Sequence, residues 1–269
     1  LPELLERLER QARANGSEVF WAEDAAAANR YLLALVDARR VRQVVRSYSA
    51  ALEEIGLDAA LAAAGRGVVL TQVGDYIARL SGDTPSHMVY PALHRRKEDV
   101  ADLFEAKLDV PKTLDIQALA SMVRFKLRRP ILESTLSVSG VAFGVGGSRG
   151  LVLTRGRGQE RLPPATPPLP AAPMGNAQVA ASLDDLALLL PLLSRSASGQ
   201  PLASCTTWLN GPVPADAPDG PHEVHLILLD NGRSDLLRWG YGEALACIRC
   251  GACQNACPVY REVGGQAYS

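Results

Sequence analysis

From Glu18 to Thr71 the sequence alternates between strand-like and helix-like patterns, an order that admits few folds. Glu18–Trp21 (EVFW) reads as a short strand, and Ala25–Ala38 as a helix rich in the strong helix formers Ala and Leu. Val41–Val45 reads as a strand, Ala50–Ile55 and Leu57–Ala64 as two helical pieces, and Val68–Thr71 (VVLT) as the next strand. Ahead of them, Leu1, Leu4, Leu5 and Leu8 fall at helical spacing until Asn15-Gly16 ends the pattern. This alternation predicts an α/β fold with a mostly parallel sheet.

The later chain continues it. His94–Leu108, Ile116–Arg128 and Asp184–Leu193 read as helices, and Leu136–Val141, Leu151–Thr154, Ala203–Leu209 and Glu223–Leu229 as strands. Leu162–Pro173 carries six prolines, which a central strand does not tolerate, so an exposed polyproline-like connector is expected there. Turn residues Asp230-Asn231-Gly232 close the last strand. Residues 1–230 are thus expected to form one α/β domain with its own core, and residues 231–269 a separate segment.

Composition removes several function classes. Lys and Arg number 28 and Asp and Glu 29, a net charge of −1, and aromatics make up 5%. Nucleic-acid binding leans on clustered positive charge and stacking platforms, so neither duplex nor single strands are expected as partners. No run approaches the ~18 apolar residues of a membrane span, and Glu3, Glu6 and Glu9 occupy the place of a signal peptide's apolar stretch. The chain begins at Leu1 and ends at Ser269, soon after a cysteine cluster, and reads as cut at both ends.

Four of the five cysteines crowd into the segment Cys247-Ile-Arg-Cys250-Gly-Ala-Cys253-Gln-Asn-Ala-Cys257-Pro258, while Cys205 stands alone. A disulfide framework would spread them, so the pattern points to metal in a reducing cytoplasm. The spacing is C-x2-C-x2-C-x3-C-P, the bacterial ferredoxin run. Two-residue gaps let a chain wrap one cubane, Gly251 relieves crowding near the sulfurs, and Pro258 turns the chain away. Structural zinc sites set their two Cys pairs well apart, which this run does not. Cys247, Cys250, Cys253 and Cys257 are therefore the expected ligands of a 4Fe-4S cluster. In two-cluster ferredoxins the fourth cysteine of the run serves the other cluster. Either Cys257 closes the same cluster, or a second run follows Ser269 in a longer chain. In the second case the site is incomplete, and Cys247–Ser269 is expected to be poorly ordered. Cys205, in a strand, is expected to be a buried hydrophobe.

Other motifs carry less. Gly144-Val-Gly146-Gly147-Ser-Arg-Gly150 has the look of a phosphate loop, but a strand rather than a helix follows, so a hairpin is expected. Arg155 and Arg157 are loop arginines, expected in solvent. His87 and His94 are seven residues apart with Pro91 between them, so one helix does not carry both. A paired carboxylate would be needed to give either a role in chemistry. Asp230 and Arg233 sit where they would cap a following helix.

Tyr241–Tyr268 resembles the ferredoxin-like part of the lactate utilization protein B family. The matching text is Cys247-Ile-Arg-Cys250-Gly-Ala-Cys253, Cys257-Pro-Val-Tyr-Arg261 and Gly264-Gly265-Gln-Ala-Tyr268. Gly220–Ser234, Arg195–Gln200, Gly74–Ile77 and Pro85–His94 are similar to the family in the same order. The resemblance implies a lactate-utilization (LUD) domain, similar to the sugar-phosphate isomerase and CoA-transferase-like superfamily, followed by a partial ferredoxin-like 4Fe-4S segment. It implies two clusters in a full-length member, further sequence before Leu1, and a cytoplasmic electron-transfer subunit of a complex oxidising L-lactate to pyruvate. Its partners would be other lactate-utilization subunits and an electron acceptor. The alternative is a LUD domain that binds or transforms an acyl or phosphorylated small molecule, with the cluster structural. Two loops depart from the family pattern. Arg46-Ser47-Tyr48-Ser49 stands in place of a lysine-rich quartet, and Thr154–Gln159 in place of an acidic loop. Both departures argue against a small-molecule pocket there.

Overall fold

His225–Leu229 (HLILL) is buried at every residue, the mark of a strand inside a sheet covered on both faces. The computed structural model describes residues 1–147, 150–155, 168–203 and 205–268. Its strands are β1 (Glu18–Ala22), β2 (Gln43–Arg46), β3 (Gly67–Leu70), β4 (Leu136–Val138), β5 (Phe143–Val145), β6 (Leu151–Arg155), β7 (Leu169–Gly175), β8 (Val179–Ala180), β9 (Cys205–Leu209) and β10 (His225–Leu229). Its helices are α1 (Pro2–Ala14), α2 (Ala25–Ala38), α3 (Ala50–Glu54), α4 (Leu57–Ala63), α5 (Val73–Ser81), α6 (Lys97–Leu108), α7 (Ile116–Glu133), α8 (Leu183–Ser198), α9 (Arg233–Arg238), α10 (Ala252–Ala256), α11 (Pro258–Val263) and α12 (Gly265–Tyr268). No helix among the described residues is long and apolar enough to cross a membrane.

Six strands form a wholly parallel sheet in the order β1-β10-β7-β4-β2-β3. The α/β expectation therefore holds. On one face Val44, Val138, Ala171 and Ile227 pack against Ala28, Leu32 and Val36 of α2 and Leu52, Leu57 and Leu61 of α3 and α4. The opposite face is shared. Val45 and Val69 pack against Phe104, Val123 and Ile131 of α6 and α7, while Ala172, Met174, Leu226 and Leu228 pack against Leu5 and Leu8 of α1 and Leu151 and Leu209. Helix α2 shows how locally these elements are specified. Its buried residues recur every three or four positions, and Asp24 accepts the Ala27 N–H at 2.6 Å as N-cap.

A smaller sheet, β8-β5-β6-β9, sits on that second face. β5 and β6 pair antiparallel across the Gly-rich link, so the hairpin expectation holds for Phe143 to Arg155. The late strand expected at Ala203–Leu209 belongs here as β9, not in the main sheet.

The proline-rich segment needs correction. Leu162–Pro167, Arg157 and the Arg155 side chain lie outside the described residues, but Leu169–Gly175 is a fully buried central strand rather than an exposed connector. Its two prolines sit at the ends of the neighbouring ladders. Pro173 lies past the residues paired with β4, Leu169–Ala171, and its carbonyl accepts the Val141 N–H, so its ring nitrogen faces the side where β4 has ended. By alternation Pro170 faces β10, which pairs only from Ala171 onward. Pro173's ring removes no ladder bond, and Pro170's falls where the β10 ladder begins, beside a lead-in whose Glu223 N–H reaches Pro168 O at 3.1 Å.

Candidate functional site

The carboxyl ends of parallel strands are where α/β sheets open to ligands, because the connecting loops leave a crevice there. Here that edge holds a cleft of about 190 Å³. Tyr48 and Ser49 follow β2, Gln72 follows β3, Gln178 follows β7, Ser194 comes from α8, and Ile248 and Arg249 come from between the first two cysteines of the run. The quartet that departs from the family pattern divides its work. Arg46 is buried, turned to carboxylates of α3, α4 and α5, whereas Tyr48 and Ser49 line the cleft.

Arg249 ties this edge to the cysteine segment. Its Nη2 donates to Glu54 Oε2 at 2.9 Å. Glu54, at the end of α3, also receives both guanidinium nitrogens of buried Arg233, at 2.9 and 2.8 Å, and the Asn231 amide at 2.8 Å. Burial pushes the Glu54 carboxyl up, but the Arg233 and Asn231 hydrogen bonds and the two guanidinium charges hold it below its ordinary value. Arg233 is thus not a cap but an anchor. Asp230 does cap, accepting the Ser234 N–H at 3.0 Å. Sequence reasoning missed Glu54 and Arg249. On a short helix Glu54 has no mark to set it apart from Glu53, and Arg249 falls inside a motif read for its cysteines.

The cysteine segment packs on the loop after α5. Gly251, with φ +76°, lies against the His87 ring: a Cβ there would stand 2.5 Å from Cε1. The Gln254 side-chain oxygen Oε1 accepts the Met88 N–H at 3.0 Å, the Tyr260 hydroxyl donates to Ser86 O at 2.7 Å, and the Gln266 side-chain amide donates to Thr84 O at 2.6 Å. The segment expected to be poorly ordered is therefore helical and docked, because these polar contacts and the glycine fit hold it to the domain. Among the described residues no three His, Cys, Asp or Glu side chains converge as a metal site. The donor chemistry nevertheless suits an iron–sulfur cluster: Cys247, Cys250, Cys253 and Cys257 are free thiols with no carboxylate or imidazole between them in sequence. Cys257 heads α11, and the Tyr260 N–H, with help from Tyr268 and the Val259 N–H, lowers its thiol pKa toward the thiolate a metal needs.

His87 is buried, and its Nδ1 accepts the N–H groups of Val89 (3.1 Å) and Tyr90 (3.2 Å). Its Nε2 faces Gly251 and Asn255 without a well-formed hydrogen bond, and burial lowers its pKa. His94 does have a paired carboxylate: Nε2 lies 2.8 Å from Asp83 Oδ2 and Nδ1 2.7 Å from Ser86 Oγ. The three residue types match a nucleophile, base and orienter, yet Ser86 is buried and its hydroxyl turns to Pro91 O at 3.1 Å. The set locks the loop instead. Asp83 also takes Arg95; burial raises its carboxyl, but bonds from His94, Ser81 and Arg95 bring it down to about 2. Cys205 corrects an expectation too. It is half-buried on β9, an edge strand of the small sheet with one face open, not a core residue.

A parallel α/β domain with a crevice at its carboxyl edge and a cysteine-rich extension defines the class. The LUD domain model matches residues 5–229, and the chain belongs to that family. It is 39% identical over 265 residues to lactate utilization protein B of Anoxybacillus flavithermus and 40% to that of Macrococcus caseolyticus. It is 36% identical over 264 residues to the uncharacterized electron transport protein YkgF of Escherichia coli. Each match covers 98% of this chain and 56% of the relative, so the chain spans about half the length of these relatives. A solved DUF162 family protein from Deinococcus radiodurans covers 85% of this chain and 97% of its own, at 14% identity and a TM-score of 0.47.

Proposed function

We propose that this chain is the LUD domain and first cysteine run of an iron–sulfur electron-transfer subunit in a bacterial complex that oxidises L-lactate to pyruvate. The observation that carries the reading is the docked cysteine segment. The ferredoxin spacing stands at the carboxyl edge of a LUD domain, in a chain similar across 98% of its length to proteins called lactate utilization protein B. Cys247, Cys250 and Cys253 hold one 4Fe-4S cluster, and Cys257 either completes it or reaches a neighbouring one. When bound, the cluster supplies one-electron chemistry. L-Lactate loses two electrons and two protons in becoming pyruvate, and the electrons leave singly for an acceptor outside this chain. The protein's own contribution is to dock the segment on the His87 loop through Gly251 and to aim the Tyr260 and Val259 N–H groups at the Cys257 sulfur, and hydrogen bonds to sulfur and solvent exposure both tune potential.

Anaerobic reconstitution tests the assignment. The protein should take up iron and sulfide together and absorb broadly at about 400 nm, as cubane clusters do. Dithionite should bleach that band reversibly. Stoichiometric zinc without sulfide, or a cluster that no reductant changes, would sink it. A second reading is favoured by the cleft: the LUD domain itself binds a small acyl or phosphorylated molecule, with the cluster as structural staple.

A further inference from the structure

We infer that Glu54 is a positioning residue for the cluster: from the LUD domain it holds Arg249 in a left-handed backbone turn that shapes the ligand loop around Cys250. The inference rests on the iron–sulfur reading and deepens it, for it names a residue far outside the cysteine run that sets the shape of the run.

Backbone conformation gives the first argument. Arg249 has φ +58° and Gly251 φ +76°, so a left-handed residue stands on each side of Cys250, whose own φ is not positive. Alternation of this kind curls a backbone so that successive N–H groups face one concave side, a form that suits an anionic iron–sulfur cluster. The N–H groups of Arg249, Cys250 and Gly251 donate to no backbone carbonyl among the described residues, so the curl does not serve a helix or a ladder.

The residue type gives the second. Glycine enters the left-handed region freely, but the Cβ of an arginine crowds the following carbonyl oxygen there. Arg40 and Asp109 also have positive φ, yet they close helices α2 and α6, where such a turn is customary. Arg249 closes no helix, since the 3₁₀ turn Gly242–Ala246 ends before Cys247. Its conformation therefore needs support from outside the loop.

Glu54 supplies it. The 2.9 Å bond from Arg249 joins side chains only 31% and 22% exposed, so water screens the pair little. The carboxylate is itself immobile, because Arg233 grips both of its oxygens. It also takes the amide of Asn231, which has φ +45°. One carboxylate thus gathers both left-handed polar residues that follow β10. Groups locked by their own hydrogen bonds are what hold a ligand loop in a binding geometry.

The test compares side chains at position 249 in the full chain. Arg249→Ala keeps the left-handed demand and loses the support, whereas Arg249→Gly loses the support but meets the demand. Two rates are read: hydrogen exchange at the Asn255 amide, bonded to Gly251 O at 3.1 Å, in metal-free protein, and iron loss to a chelator after anaerobic reconstitution. Arg249→Ala should raise both about tenfold, and Arg249→Gly should stay within about twofold of wild type. Glu54→Gln should behave like Arg249→Ala, and adding Arg249→Gly to it should restore both rates. Where Glu54→Gln fails to fold because Arg233 loses its countercharge, the two Arg249 variants decide alone. Equal rates in those two variants overturn the inference: if both are fast, Arg249 is only a tether, and if both are slow, it is idle. Faster exchange without faster iron loss overturns it too. Iron and sulfide content judge the relay reading separately. A redox-active cluster held equally by both variants sinks the inference alone. A chain whose metal-free variants differ as expected but which never takes up iron and sulfide sinks the relay alone.

Discussion

Arg46 is 1% exposed, a cation deep in a domain core, and it stays there because three carboxylates meet it. Its Nε and Nη2 donate to Asp58 at 2.7 and 2.5 Å, Nη2 also reaches Glu53 at 2.9 Å, and Nη1 lies 3.2 Å from Asp75 Oδ2. Burial works against the guanidinium charge, but Asp75, Asp58 and Glu53 hold its pKa above the ordinary value. The weak member is Asp75. Its Oδ2 forms an ion pair without hydrogen-bond alignment, and burial, only partly offset by Arg46, raises its carboxyl from 3.8 to about 6. The sign follows from linkage. Between those pH values the folded state binds more protons than the unfolded chain, so Asp75's contribution is complete below the lower value and lost as pH rises through about 6. Chemical denaturation across that range should show the stability of wild type falling with rising pH relative to that of Asp75→Asn. Asp75→Asn should flatten that slope; a slope unchanged in the variant would assign the effect elsewhere.

At the level of elements, the docked cysteine segment rests on a glycine that the motif already singled out, though for a different reason. The motif alone explains Gly251 as relief near the sulfurs, yet its φ of +76° and its contact with His87 make it the fit between segment and domain. Gly251→Ala should cost the docked state about 1–2 kcal/mol from the left-handed backbone alone, and more from the clash. Hydrogen exchange should then quicken across residues 247–268 while β10 and β7 keep their protection. Equal loss of protection in the strands would mean that the segment is part of the core. Legibility in the sequence followed how local each signal was. Helix α2, the parallel strands and the hairpin at Gly144 were readable from spacing and caps. β7 was not, because its tolerance of Pro170 and Pro173 depends on where β10 begins and β4 ends. The cysteine run was legible at once, whereas the cleft was not. Tyr48, Gln72, Gln178 and Arg249 are scattered along the chain and meet only through the sheet order.

For the whole molecule, the decisive feature is that the chain's first strand is paired with its last. β1 joins the parallel sheet only through β10, and β10 separates it from β7. A chain ending at Val224 should therefore not fold cooperatively, for β1 would have no partner and the buried face of β7 would become an edge. A cooperative thermal transition in that fragment would show that β10 is dispensable. The same arrangement sets a timetable during synthesis. Contacts over 200 residues apart in sequence form late, since the whole intervening loop must close first. The sheet is completed only when His225–Leu229 has left the ribosome, and the residues that come next are the cysteine segment. Its docking platform, the Glu54 and His87 surfaces, is thus finished just before the thiols arrive, so on the proposed reading a cluster would be assembled on a domain already closed.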